Sequence, residues 1–189
     1  MTFRTLYLSM VCAAAASVAA AGPGDGPAQN PPPEAAIKSF AKFDLRDLAG
    51  LHDAATSGNG RAEAKIAEHL RQQLAPIVKA WNAAGANSSE TNTLQIEPQI
   101  SAIKFIGGKA RFWAGALAGS SYVIMKIKLT EQPSGRLIAE PEFYQRAQAM
   151  SGAWTLGGQD NDMLQRVVTL ATNYMSANYD APVGGPTGR

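Results

Sequence analysis

Two histidines, His52 and His69, are the only imidazoles in the sequence. They are not at the spacing of a metal site. His69 lies between Glu68 and Arg71 in a helical pattern, so it reads as a solvated surface residue. No serine stands in a Gly-x-Ser-x-Gly elbow. Glu140 and Glu142 share one strand face, where two carboxylates could act as acid and base; on a solvent face, like charges at i and i+2 are simply exposed. Gly157, Gly158, Asp160 and Asp162 suggest a calcium loop, but the ligand count is too low for the known pattern, and Asp160 serves better as a helix cap. No metal or cofactor is expected, no catalytic set is found, and the balance of these readings is against an enzyme.

The most unusual stretch is Gly107-Gly-Lys-Ala-Arg-Phe-Trp-Ala-Gly-Ala-Leu-Ala-Gly-Ser-Ser121. Arg111, Phe112 and Trp113 bring a cation and two rings together, the residue types that anchor interfaces, and are the candidate partner-binding residues. A core Trp beside a helix-capping Arg is the competing reading. Gly115 and Gly119, four apart, let backbone approach backbone closely, which makes them candidate structural glycines. The stretch also resembles a phosphate loop, but the lysine that should precede Ser120 is absent. It is therefore a glycine-rich crossover, a partner surface or a ligand loop, and the first accounts for most of its features.

Several elements must position that stretch. Residues 38–46 alternate, with Ala41, Phe43 and Leu45 on one face, and predict a half-buried strand. Ile66, Leu70, Leu74, Ile77 and Val78 recur at helical spacing, so residues 61–75 predict an amphipathic helix that kinks or ends near Pro76. Asn82 to Asn92 reads as a polar loop. In residues 93–105, Leu94, Ile96, Ile100 and Ala102 alternate, and the phase then moves to Ile103 and Phe105, which predicts a β-bulge. Val123, Met125, Ile127 and Leu129 form the cleanest strand face, expected to be buried against Ile66, Leu70 and Leu74. Glu131-Gln-Pro-Ser-Gly135 predicts a hairpin turn in which Gly135, the third structural glycine, takes positive φ. Residues 136–147 return as a third strand. Asp160 or Asn161 can cap a last helix whose apolar set is Leu164, Val167, Val168, Ala171, Tyr174 and Met175. The order β-α-β-β-β-α predicts an α+β, two-layer sandwich: a mainly antiparallel sheet with two helices on one face.

The totals fit one small domain. Of 189 residues, 46% are hydrophobic, and 17 Lys+Arg against 15 Asp+Glu leave a formal charge of +2. That balance supplies no footprint for nucleic acid. The first residues combine Arg4, an apolar run from Leu6 to Val18, and small Ala19 and Ala21 before Gly22-Pro23-Gly24. This is the pattern of a cleavable export signal over 1–21, which sends the chain to the periplasm or outside the cell. The single cysteine, Cys12, lies inside it. Ser9, Met10 and Val11 before it make a poor lipidation site, and membrane contact is expected only if Cys12 were lipid-anchored. Residues 22–35, with five prolines and three glycines, predict an extended spacer. Residues 36–179 form the α+β domain, and 180–189 predict a disordered tail.

From about Leu94 to Tyr179 the chain resembles the bacterial domain of unknown function family 4410. Ile96-Glu-Pro, Ala110-Arg-Phe-Trp-Ala-Gly-Ala-Leu-Ala-Gly-Ser, the strand Val123 to Leu129, the turn with Gly135, the strand Leu137 to Phe143 and the helix Met163 to Met175 carry the resemblance. It implies an exported envelope protein, often a lipoprotein, with an α/β sandwich and no assigned catalytic residues. Together these readings point to a non-enzymatic binding or assembly module with an envelope protein as partner. The alternative is a small-ligand binder or hydrolase with its site under residues 107–121.

Overall fold

The computed structural model describes residues 28–51, 59–85, 92–105, 121–147 and 158–189, with side chains in the last stretch from Asn161 onward. The elements are β1 (Gln29–Asn30), a 3-10 turn (Ile37–Ser39), β2 (Lys42–Leu45), α1 (Gly60–Ala84), β3 (Thr93–Lys104), β4 (Tyr122–Gln132), β5 (Leu137–Ala139), β6 (Glu142–Arg146), α2 (Gly158–Ala177) and β7 (Gly185–Pro186). The main sheet runs β2-β3-β4, and β5 and β6 share the far side of β4. Among the described strands only β2 and β3 run parallel; the other pairs are antiparallel. The α+β sandwich expected from the sequence is what forms, with both helices on one face of a mostly antiparallel sheet.

Period-two patterning builds that face. Leu94, Ile96 and Ile100 of β3, Val123, Met125, Ile127 and Leu129 of β4, and Phe143 of β6 are all buried. They join one core with Ile66, Leu70, Leu74 and Val78 of α1 and Met163, Leu164, Val167, Val168, Ala171, Tyr174 and Met175 of α2. Burial of large apolar side chains on both layers is the main source of stability, at roughly 1.5–3 kcal/mol each before conformational entropy is subtracted. The phase change read in β3 is a bulge: its register with β4 shifts between Ile100 and Ala102. The turn after β4 closes through the Gly135 N–H to Glu131 O at 2.8 Å, with Gly135 at φ 73°. Hydrogen bonds from Ser134 and then Arg136 hold the Glu131 carboxyl below its usual range.

Several expectations are corrected. The helix does not stop at Pro76 but continues to Ala84. Pro76 faces solvent, while Leu74 and Val78 are buried on either side of it. Farther along, Trp81 lies 5.3 Å from the ring of Phe43 and 4.7 Å from that of Tyr179. This packing outweighs one missing backbone bond. Asn82 therefore belongs to α1 rather than to a loop. Residues 37–39 turn as 3-10 instead of extending, because the Ile37 and Lys38 N–H groups donate to Asn178 O and Tyr179 O beyond α2. The single third strand is two, broken at Glu140-Pro141. Because α2 begins at Gly158, Asp160 and Asn161 lie inside it and do not cap it.

The largest correction concerns the two ends. Residues 28–35 and 180–189, read as part of a spacer and as a disordered tail, are folded onto the sandwich. β1 pairs antiparallel with β7. Glu34 N–H donates to Ile138 O of β5, and Tyr144 N–H of β6 donates to Thr187 O. These segments lack a hydrophobic pattern because backbone groups hold them, and a sequence does not display such bonds.

Candidate functional site

Arg111, Phe112, Trp113, Gly115 and Gly119 lie outside the described residues, and so does His52. The flanks of the Gly-rich segment are described. Lys104 and Tyr122 form the last opposed pair of the β3–β4 ladder. The chain leaves the sheet and returns to it at one end of the sandwich. Both helices start at that end. Near the start of α1, the Glu63 carboxylate accepts the Leu51 N–H at 2.8 Å, past the end of β2. A Cβ on Gly50 would meet that carboxylate, the far end of a flexible side chain that could shift to make room. In the first turns of α2, Arg166 donates from Nε to Gln145 at 3.1 Å and from Nη2 to Arg146 O at 3.0 Å.

Two open clefts flank these contacts. One, of about 520 Å³, has Gln145, Asp162, Arg166 and Asn173 among its lining residues. The other, of about 360 Å³, includes Asp47, Glu63 and Arg71. The first offers side-chain amides, one carboxylate and a guanidinium, and the second two carboxylates and a guanidinium, which suit hydrogen bonding to a polar group. Glu140 and Glu142 do not work as a pair. Glu140 stands 3.9 Å from Lys126, Glu142 is bound by Arg189, and β6 begins only at Glu142. His69 is not solvated as expected: it is 9% exposed, and its Nε2 has no partner. Among the described residues no cluster of His, Cys, Asp and Glu could hold a metal ion, and no helix is long and apolar enough to cross a membrane.

Sequence reasoning missed a set of asparagines. The side-chain amide of Asn82 exchanges two bonds with the backbone of Phe43: Nδ2–H to Phe43 O and Phe43 N–H to Oδ1, each 2.9 Å. Asn30 does the same with Glu142, at 2.8 Å both ways. A side-chain amide has the donor and acceptor of a peptide unit, so each acts as one residue of an extra strand. Both sit on the outer edges of the sheet, where unpaired backbone would otherwise accept a foreign strand. Asn178, fully buried, accepts from Val183 and Gly184 N–H and donates to Tyr174 O and Gly184 O, which turns the chain back after α2. The one sequence signal was Asn178 just past a helical run, a known helix-stop residue; nothing marked Asn30 or Asn82.

No protein-family model and no curated protein sequence matches the chain. Among solved structures, a PelC dodecamer from Paraburkholderia phytofirmans aligns at 16% identity and a TM-score of 0.37, over 75% of this chain and 95% of that one. A candidate lipoprotein from Caulobacter crescentus aligns at 12% identity and 0.33, over 76% and 92%. A Xanthomonas campestris protein of the DUF330 family aligns at 12% and 0.39, over 79% and 90%. At these values the likeness says nothing about what this chain binds or assembles with.

Proposed function

We propose that this chain is an exported protein of the bacterial cell envelope that acts as a non-enzymatic binding or assembly module. Residues 1–21 deliver it to the periplasm or beyond, and Arg111, Phe112 and Trp113 meet an envelope protein. The observation behind this reading is the pairing of Lys104 with Tyr122 on a sheet whose outer edges are occupied. Asn82 and Asn30 take up backbone groups of β2 and β6, and residues 34 and 187 take up others. Strand addition is thereby disfavoured along the edges, while the segment between Lys104 and Tyr122 starts and finishes at one end of the sheet.

Crosslinking in intact cells, followed by capture of the protein, tests this reading. Replacement of Arg111, Phe112 and Trp113 by alanine is expected to remove a crosslinked partner and leave the melting temperature unchanged. Gly115→Val and Gly119→Val are expected to lower the melting temperature instead, as befits close backbone approach. Unaltered crosslinking by the triple variant would count against the interface. Intact mass with an N-terminus near Gly22 would accord with cleavage; a lipid mass on Cys12 would refute it.

A further inference from the structure

The cleft of about 520 Å³ is walled by α2 on one side and by β6 and the chain end on the other. Asp162, Gln165, Arg166 and Asn173 come from α2, Gln145 from β6 and Gly188 from the C-terminal segment. Asp162 and Arg166 stand at i and i+4 with the acid first, the order in which such side chains pair along a helix. They do not pair here. Arg166 reaches across to β6 instead, from Nε to Gln145 Oε1 at 3.1 Å and from Nη2 to Arg146 O at 3.0 Å. Those two bonds use one side of the guanidinium fork and hold its plane still. The Nη1–Nη2 end keeps its N–H groups. The Asp162 carboxylate is exposed and has neither an ion pair nor a hydrogen bond among the described residues. A Cβ on Gly188 would strike Tyr144 O and crowd Gln145 Nε2, so bare backbone there leaves Gln145 in place to hold Arg166. The cleft thus carries one fixed cation and one free anion on the same helix, neither neutralised by the other.

We propose that this cleft binds a small zwitterionic amino-acid ligand, a free amino acid or a short peptide, with its carboxylate on Arg166 and its ammonium on Asp162. The end of a guanidinium fork presents parallel N–H groups that match a carboxylate. An ammonium has donors only and an ionised carboxylate has acceptors only, so Asp162 is the matching partner for the other charge. On adjacent helical turns the two Cβ atoms lie about 5–6 Å apart, a span that one small ligand bridges. Gln165 and Asn173 add donors and acceptors for a peptide group. The volume falls in the range of small-ligand sites. A neutral saccharide is the competing ligand. It would use the amides and leave both charges without a counter-charge. This proposal does not rest on the partner reading of Arg111 to Trp113.

The test is titration of the isotope-labelled full chain with alanyl-alanine, followed through amide NMR shifts. Shifts are expected at Gln145, Arg166 and Gly188. Alanine is the second probe: equal binding would make the ligand a free amino acid, and weaker binding would make it a peptide, both in accord with the proposal. N-acetylalanine lacks the ammonium and alaninamide lacks the carboxylate, so each should bind about fivefold or more weakly than alanine. Asp162→Asn removes a carboxylate that holds nothing in the fold. It should weaken alanyl-alanine by about fivefold or more and leave N-acetylalanine unchanged. Lys79→Gln, on the exposed side of α1, should change neither. No shift at about 10 mM alanyl-alanine would overturn the proposal. Equal binding by Asp162→Asn would do the same, as would shifts confined to residues outside the cleft. Binding of sucrose without binding of alanyl-alanine would assign the cleft to saccharides and overturn it too.

Discussion

Asparagine side chains in this protein replace backbone. Asn82 gives Phe43 both partners that a neighbouring strand would supply. Asn82→Leu keeps the approximate size, removes both bonds and leaves two main-chain groups of β2 unpaired. An unsatisfied buried polar group costs about 1–3 kcal/mol, so a loss of about 2 kcal/mol is expected in urea unfolding. A loss under a few tenths would mean that water replaces the amide. Tyr174 is a second telling residue. Its hydroxyl donates to Pro31 O at 2.8 Å, and burial pushes its pKa up to about 12 from 10.0. The folded chain therefore keeps the phenol proton where the unfolded chain has released it. This contribution to stability is full below pH 10, falls as pH rises through the window from 10 to about 12, and is lost above it. Urea midpoints of the wild type should drop across that window more steeply than those of Tyr174→Phe. Parallel curves would show that the phenol is not the group that titrates.

At the scale of elements, periodicity and packing agree on identity and disagree on ends. The repeat through Ile66, Leu70, Leu74 and Val78 specifies a helix, yet Pro76 argues locally for a stop. Burial of Val78 and the stacking of Trp81 on Tyr179 win. The local conflict still carries a cost. Pro is about 3 kcal/mol worse than Ala inside a helix, and Pro76 is exposed, so Pro76→Ala should raise stability by about 1–3 kcal/mol. A decrease would show that the helix is bent at this point to fit the sheet. In β3 the alternation and the existence of a slip were both readable, but the slip falls between Ile100 and Ala102, so Ala102 opposes Ile124 on the outer face and Ile103 opposes Val123 on the core face. The break between β5 and β6 was not: Pro141 is compatible with an edge strand, and only pairing reveals the division.

The whole molecule is closed by its two ends. β1 and β7 meet beside β6, joining residues more than a hundred and fifty positions apart. Gly188 is central to that closure. At φ 84°, a side chain is strained, and its Cβ would strike Tyr144 O and Leu170. Gly188→Val should release the C-terminal segment and the bond from Tyr144 N–H to Thr187 O. Hydrogen exchange should then accelerate at Tyr144 while the β3–β4 amides stay protected. Association that grows with protein concentration should accompany it, since an opened edge accepts strands. Unchanged exchange at Tyr144 would mean that the tail does not guard the edge.

The sequence by itself determined the class of fold, the strand faces, the bulge in β3 and the apolar stripes of both helices. Each is a short-range consequence of side-chain direction, with period two in a strand and about 3.6 in a helix. The export reading likewise rests on the sequence alone, through Arg4, the run from Leu6 to Val18 and the small residues at Ala19 and Ala21. Tertiary structure alone decided that α1 outlasts Pro76, that His69 is buried, that Glu140 and Glu142 serve separate cations, and that residues 28–35 and 180–189 are part of the fold. It also joined Arg166 of α2 to Gln145 of β6. These outcomes depend on partners far away in the chain. A backbone carbonyl carries no residue identity, so Pro31 and Glu142 give no sign in the sequence that Tyr174 and Asn30 will find them.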